Sequence, residues 1–385
     1  MSRAAFSTDV PRLVHLAEYT PPHAGSFIPM MRATLIKAKE SGWEAEAVFP
    51  TKAIGRNWIA SFENEGIRVR YTEEMSQRQL AHWIGDLLDE ELRPTLLHAH
   101  FSTYDTPAVL AARKRSWAAV FWHTHTVLSS ERWFAARNTA KNLLFSHDTA
   151  RILCPAQNIA DAMGRRKAPK DRLWVFPSPI DTNVFSTLDA EERAARRRSL
   201  DLPEDATVLL LFGRDWMVKG GDTFMETVRL IVDRAPGKYI ALVHHGGARA
   251  AKDAQALGLA DSLRDIGTRD SVQDLFGAAD LLLAPSRGEG MPFSVLESIC
   301  TGTPVVASRL PGHSFLPEGY GACVVVDRKP EELADAALDV LGQGRAAAER
   351  ECARAREWIA ANLSLGPATS VLLTAYEPVL ERLTP

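Results

Sequence analysis

DLLLAPSRGEGMPFSVLESICTGTPVVASR, residues 280–309, reads as an apolar strand running to Ser286, a loop from Arg287 to Gly290, a helix from about Pro292 to Cys300, a terminating Gly302 and a returning apolar strand. Pro292 suits a first helical turn, where a missing N–H matters least. Outward from this stretch the same alternation recurs. LVHLAEY (13–19), EAEAVF (44–49), TLLHAH (95–100), AAVFWH (118–123), RILCPA (151–156) and LWVFPS (173–178) read as strands of a first half. TVLLLFG (207–213), YIALVHHG (239–246), LLLAPS (281–286), PVVASR (304–309) and ACVVVD (322–327) read as strands of a second. Short β-branched runs separated by helical-period stretches are the mark of stacked βαβ units, so the fold class is α/β with parallel sheets.

The chain has 385 residues, enough for two domains. Strand signal lapses over 180–207 while charge accumulates, which predicts a linker there, with EERAARRRSL (191–200) as a solvated helix whose acidic end precedes its basic end. The predicted division is 1–186 and 187–362, with a C-terminal helix, 363–385, packing back on the first domain. Forty-five Lys plus Arg against 48 Asp plus Glu leave a net charge of −3, which argues against nucleic acid as a partner. No apolar run approaches the ~18 residues of a membrane span, and Asp9, Pro11 and Arg12 interrupt the start before a signal peptide could form, so a cytoplasmic location without membrane association is expected. Cys154, Cys300, Cys323 and Cys352 are far apart, form no C-x-x-C pair, and read as reduced thiols. No metal site is expected.

Open parallel sheets bind ligands beyond the carboxyl ends of their strands. In RGEGMPF the helix N-terminus offers unpaired N–H groups and a positive dipole end to an anion such as a diphosphate. Glu289 stands before that helix and Glu297 about five residues inside it, ~7 Å further along. Carboxylates accept from hydroxyl pairs, so a sugar and a ribose would satisfy them; the alternative is that Glu289 caps the helix and Glu297 faces solvent. GRDWMVKGGDTF (213–224) places Arg214 and Lys219 in a second such loop, where a guanidinium and an ammonium could neutralise a diphosphate without a metal, or simply be solvated. In the first half, Gly25 in TPPHAGS (20–26) lets backbone approach a ligand or merely turns the chain. The helix after it carries Phe27, Met30, Met31 and Leu35 as core residues. His98, His100, His123 and His125 end apolar strands; such histidines are usually hydrogen-bonded core residues, but FWHTHT (121–126) is a candidate for ligand contact.

On EGMPFSVLE (289–297) followed by CTGTPVVAS (300–308), on GRDWMVKGGDTF, and on GTRDSVQDLFGAADLLLAPS (267–286), HAHF (98–101), VFWHTHT (120–126) and PSPIDTNVF (177–185), the chain resembles the family-4 retaining glycosyltransferases. The resemblance implies the GT-B fold, two Rossmann-like domains whose parallel sheets face a central cleft. It further implies a metal-independent hexosyl transfer with no cofactor, from a nucleotide-diphosphate sugar, UDP-linked by default, to an acceptor hydroxyl. Carried over by position, Arg214 and Lys219 would bind the diphosphate, Glu297 the ribose, and Glu289 the transferring sugar. Gly213, Gly290 and the backbone of Met291 and Phe293 would line the donor site, Gly25 would line it from the first domain, and His125 would meet the sugar hydroxyls, with His123 the competing choice. A small soluble acceptor is favoured, and SSERWFAARNTAKN (129–142) either lines its site or covers the domain. The chain departs from the family pattern where Pro292 removes a backbone donor, where Ser178-Pro179 replace Asn-Gly, and where Asp215 stands beside Arg214 and could offset its charge. The rival readings are a nucleotide-sugar epimerase or hydrolase, and a non-catalytic sugar-nucleotide-binding protein.

Overall fold

A computed structural model describes residues 10–125, 131–313, 315–317 and 319–384. Two compact units emerge, Met1–Pro179 with Leu365–Pro385, and Ile180–Ser364. In the first, the chain runs β1 (Arg12–Ala17), α1 (Phe27–Glu40), β2 (Glu44–Pro50), α2 (Ala60–Glu63), β3 (Arg68–Thr72), α3 (Gln77–Asp89), β4 (Thr95–His100), α4 (Ser102–Ala112), β5 (Ala118–His123), α5 (Arg132–Phe145), β6 (Arg151–Cys154), α6 (Gln157–Arg165) and β7 (Leu173–Val175). The second unit holds α7 (Ala190–Ser199), β8 (Thr207–Phe212), α8 (Gly221–Arg234), β9 (Tyr239–His244), α9 (Gly247–Ala256), β10 (Leu263–Asp265), α10 (Gln273–Ala278), β11 (Leu281–Ala284), α11 (Phe293–Cys300), β12 (Val305–Ser308), β13 (Cys323–Val326), α12 (Pro330–Gly342) and α13 (Arg345–Leu363). Helix α14 (Leu365–Leu380) belongs to the first unit, where it packs on α1.

Each unit is one parallel sheet, ordered β3-β2-β1-β4-β5-β6-β7 in the first and β10-β9-β8-β11-β12-β13 in the second. Both orders reverse direction once, between β1 and β4 and between β8 and β11, which is the doubly wound arrangement. Period-two alternation fixes the layers: Val208 and Leu210 of β8 enter the core on one face, Leu209 and Leu211 that on the other. The apolar side of α1 is core: Phe27, Met30, Met31 and Leu35 are all buried. Cys154, Cys300 and Cys352 are buried free thiols and Cys323 is half-buried.

The stretch 180–207 is not a free linker. The units divide at Pro179 and Ile180, ahead of residue 186, and again at Ser364 and Leu365; Ile180 donates its N–H to the Leu363 carbonyl at 2.8 Å. Helix α7 carries a capping box between Asp189 and Glu192, but its basic end is only partly solvated. Arg193 is buried, donating to the carbonyls of Gly277 and Ala279 at 2.6 and 2.8 Å and to Asp280 at 2.6 Å, so the guanidinium fastens α7 to the start of β11. In 129–142, Ser129 and Ser130 lie outside the described residues, Glu131 precedes α5, and the rest lies in α5, whose one buried residue is Asn142.

Candidate functional site

The loops after β8 and β11, the strands flanking the reversal in the second unit, are fastened to each other. Arg287 donates its backbone N–H to the Val218 carbonyl at 2.7 Å, and its guanidinium reaches the Met217 carbonyl and both carboxylate oxygens of Asp222, at 2.8 and 2.6 Å. Gly220, at φ 72°, lies so close to the next loop that a Cβ there would sit 2.0 Å from the Pro285 carbonyl oxygen. A Cβ on Gly221 would strike the Trp216 ring. Glycines at 220 and 221 are therefore a packing requirement, and the close approach they allow brings Lys219 to Glu289, Nζ to Oε1, at 2.7 Å.

Glu289 does not cap α11, whose N-terminus has Pro292 as its boundary and no side-chain cap bond. Its Oε1 instead accepts from Lys219 and from the Ser286 hydroxyl at 2.8 Å. Glu297 is 4% exposed on the inner side of α11, which rules out the solvent-facing alternative. Arg214 is exposed and has no ion pair among the described residues. Beside it, the Asp215 carboxylate accepts from the Val218 N–H at 3.2 Å and the Asp215 carbonyl from the Lys219 N–H, which shapes the turn. Gly213 lies against the Trp216 ring, with its N–H on the His244 carbonyl at 2.9 Å. Gly290 is buried under the next turn, where a Cβ on Gly312 would come within 2.0 Å of the Gly290 oxygen. Met291 turns its side chain into the core, and Phe293 is half-buried as the first residue of α11.

Two contributors carried no signal in the sequence. Ser286 joins Glu289 to β12 through its own carbonyl, which accepts from the Ser308 hydroxyl at 2.6 Å. His313 is buried beside them: its ring Nδ1 is 2.7 Å from the Ser308 carbonyl and so carries the proton, while Nε2 has no partner among the described residues. Burial pushes the His313 pKa down, partly countered by that carbonyl and by Glu289. Lys219, Ser286, Glu289, Pro292, Ser294 and His313 line one small cavity. Only a repeated pattern across relatives, not spacing within one chain, could have pointed to a histidine so far downstream.

In the first unit the reversal lies between β1 and β4, and there the chain collects histidines. His15 pairs in register with His98, and His100 with His123, while His125 lies just beyond β5. Neighbours in register and residues two apart share a sheet face, so all crowd together. Helix α1 covers them with Phe27, 5.2 Å from the His100 and His125 rings, and α14 with Tyr376, whose hydroxyl is 2.5 Å from His98 Nδ1. His15, His98, His100 and His123 are buried and His125 is half-buried. Burial holds every one of these pKa values down, to about 3 for His15 and His125, so the rings are neutral at physiological pH. Gly25, at φ 52°, shapes the loop after β1; the neighbouring carbonyls of His23 and Ala24 accept from the Tyr19 hydroxyl, and Tyr19 stacks toward Phe101, which lies 4.7 Å from His125.

Two triads, His15 with His98 and His100, and His100 with His123 and His125, hold one ring nitrogen each within 4.8 Å of the others. The neutral imidazole is the metal-ligating form. Within the cluster His98 stacks on His100 at 4.2 Å and His123 on His125 at 4.0 Å. The two closest nitrogen pairs are already hydrogen-bonded, and no carboxylate is among the groups acting on these rings. His15, His100 and His125 are thus tied to one another by two ring-to-ring hydrogen bonds.

Two doubly wound units with loops at the strand ends suited to a ligand define an α/β ligand-binding scaffold. Residues 206–343 match the family model for glycosyl transferases group 1, and residues 60–184 that for glycosyltransferase family 4. The D-inositol 3-phosphate glycosyltransferase of Corynebacterium jeikeium (strain K411) is 25% identical over 291 residues, 69% of each chain. Among solved structures, Anabaena HepE in complex with UDP-glucose aligns with a TM-score of 0.80 at 15% identity, over 95% of this chain and 99% of that one. A glycosyltransferase from Rickettsia africae ESF-5 aligns with a TM-score of 0.78 at 15% identity, over 97% and 99%. The chain belongs to the family-4 glycosyltransferases and has the GT-B fold. Among the described residues no helix is long and apolar enough to cross a membrane.

Proposed function

We propose that the chain moves a hexosyl group from a UDP-linked sugar to a hydroxyl of a small soluble acceptor, with retention of anomeric configuration and without a metal. The observation that carries this reading is the Lys219–Glu289 contact, which brings a cation and a carboxylate from two strand ends to one point beside an uncapped helix N-terminus. A pyrophosphate there meets the α11 N–H groups, Lys219 and the exposed Arg214, which together stabilise charge developing on the leaving group. Glu289 then takes sugar hydroxyls and Glu297 the ribose. Gly213, Gly290 and the backbone of Met291 and Phe293 border the nucleotide; within the first unit, Gly25 and His125 are the residues assigned to substrate. The anomeric C–O bond to the diphosphate breaks, the acceptor oxygen bonds to the same carbon on the same face, and the acceptor proton passes to the departing phosphate oxygen. No dedicated base is required.

HepE, crystallised with UDP-glucose, supports the choice of UDP, and the name of the Corynebacterium enzyme supports a polyol-type acceptor bearing a phosphate. The deciding experiment incubates the protein with UDP-hexoses and a panel of polyols and polyol phosphates, and reads the anomeric linkage of the product by NMR. An α-linked product from an α-linked donor is expected. An inverted linkage rejects retention. Free sugar released without acceptor indicates a hydrolase, and an altered sugar still attached to nucleotide an epimerase.

A further inference from the structure

Three of the clustered histidines form a chain. His15 Nδ1 lies 2.9 Å from His100 Nε2, and His100 Nδ1 lies 2.9 Å from His125 Nε2. Each neutral ring carries a single N–H, so the chain can be protonated in only two ways. In one, His125 donates to His100 and His100 to His15, which leaves His15 with its proton on Nε2. That nitrogen is buried and has no partner among the described residues, so the arrangement strands an N–H donor. In the other, His15 Nδ1–H donates to His100 Nε2 and His100 Nδ1–H donates to His125 Nε2. His15 is then left with only a lone pair, and the unpartnered N–H falls on Nδ1 of the half-buried His125, an atom that is not sealed off as His15 Nε2 is. A stranded buried N–H is the rarer and costlier defect, so the second arrangement is favoured.

We infer that His100, backed by His15, is a positioning residue that fixes the ring and tautomer of His125, holding Nε2 as an acceptor and presenting Nδ1–H as a hydrogen-bond donor to the substrate. The functional half of this inference rests on the reading of His125 as a sugar contact; the tautomer does not. His125 Nδ1 has no partner among the described residues and is therefore available. The surroundings keep the chain neutral: Phe27 from α1, Phe101 after β4, and the rings of His98 and His123 adjoin it, while Tyr376 from α14 is held to His98 with its own pKa raised well above 10. His125 accordingly acts as a fixed neutral donor throughout physiological pH. It aligns a hydroxyl and does not shuttle a proton.

The test is nitrogen NMR of the full chain labelled with 15N-histidine, with the His125 signals assigned by their loss in His125→Gln. Protonated Nδ1 and bare Nε2 on His125 are expected; the opposite pattern overturns the inference outright, whether or not the protein transfers sugar. Two variants then separate positioning from packing. His100→Asn keeps an N–H where His100 Nδ1 stood and should retain transfer within a few-fold, with the His125 tautomer unchanged. His100→Leu should lower kcat/KM about 10- to 100-fold, the usual loss when a group orienting a histidine is removed. UDP affinity should stay unchanged in both, because its contacts are assigned to the other unit. Wild-type activity in His100→Leu, or one zinc ion bound per chain by the wild type and lost with His100, would also overturn it, since ligation takes up the same nitrogens. Should His100→Leu fail to fold, the wild-type spectrum still decides.

Discussion

Lys219 and Glu289 neutralise each other in the absence of ligand, and that gives their substitutions opposite signs for nucleotide binding. The pair is partly solvated, so its contribution to folding is small, about 1 kcal/mol or less. Removing the ammonium in Lys219→Ala takes away the cation a pyrophosphate needs. Transfer should fall about 100-fold, as for loss of one preorganised electrostatic donor, and UDP affinity should fall with it. Glu289→Gln releases Lys219 from its carboxylate, so free UDP should bind as tightly or several-fold more tightly while transfer still collapses. Isothermal titration with UDP beside steady-state kinetics reads both. Parallel loss of UDP affinity in the two variants would show that the ion pair shapes the loop and does not compete with the ligand.

Between elements, the decisive contact is the passage of the β8–α8 loop under the β11–α11 loop at Gly220. Ala at 220 would be strained at φ 72° and would meet the Pro285 carbonyl, a backbone atom that cannot rotate away. Overpacking of this kind costs about 1–3 kcal/mol, and Gly220→Ala should lower the urea midpoint of the second unit while abolishing the thermal shift produced by UDP. A UDP shift of wild-type size would mean that the fastened loops are not the nucleotide site. The sequence discloses that two glycine-bearing loops follow apolar strands, because strand periodicity is local. It does not disclose that they touch, because that depends on β8 and β11 being neighbours in the sheet, a property of strand order. The strands it hides are edges for a related reason: β3 is RVRYT, whose Arg70 pairs with Glu46 and Glu90, and β10 is three residues long. Polar edges lack the apolar run by which buried strands are read. Helix α7 passed for solvated because buried arginines look like exposed ones until their carbonyl partners are seen.

At the scale of the molecule the two units carry unlike burdens of buried imidazole, and acid should separate them. His15, His98, His100 and His123 are buried with pKa values held far below the ordinary 6.5, whereas the described residues of the second unit bury two histidines, His244 and His313, with the pKa of His313 lowered by burial. Unfolding exposes these rings to water, where each takes up a proton once pH drops below about 6.5. Because the unfolded chain then binds more protons than the folded one, stability is at its full value above pH 6.5 and declines as pH falls toward the depressed folded values. At pH 5.5 the loss is about 1.4 kcal/mol for each such ring, and four of them approach the whole stability of a typical domain, about 5–15 kcal/mol. Hydrogen exchange read by mass spectrometry across a urea series at pH 7.5 and 5.5 should therefore show peptides of β1, β4 and β5 losing protection at much lower urea in acid, with β8 and β11 shifting far less. Equal shifts in both units would mean that the histidine face admits water or a counter-anion as it charges. That outcome would also undercut the neutral relay, since a chain that takes up protons in the folded state cannot hold His125 in one tautomer.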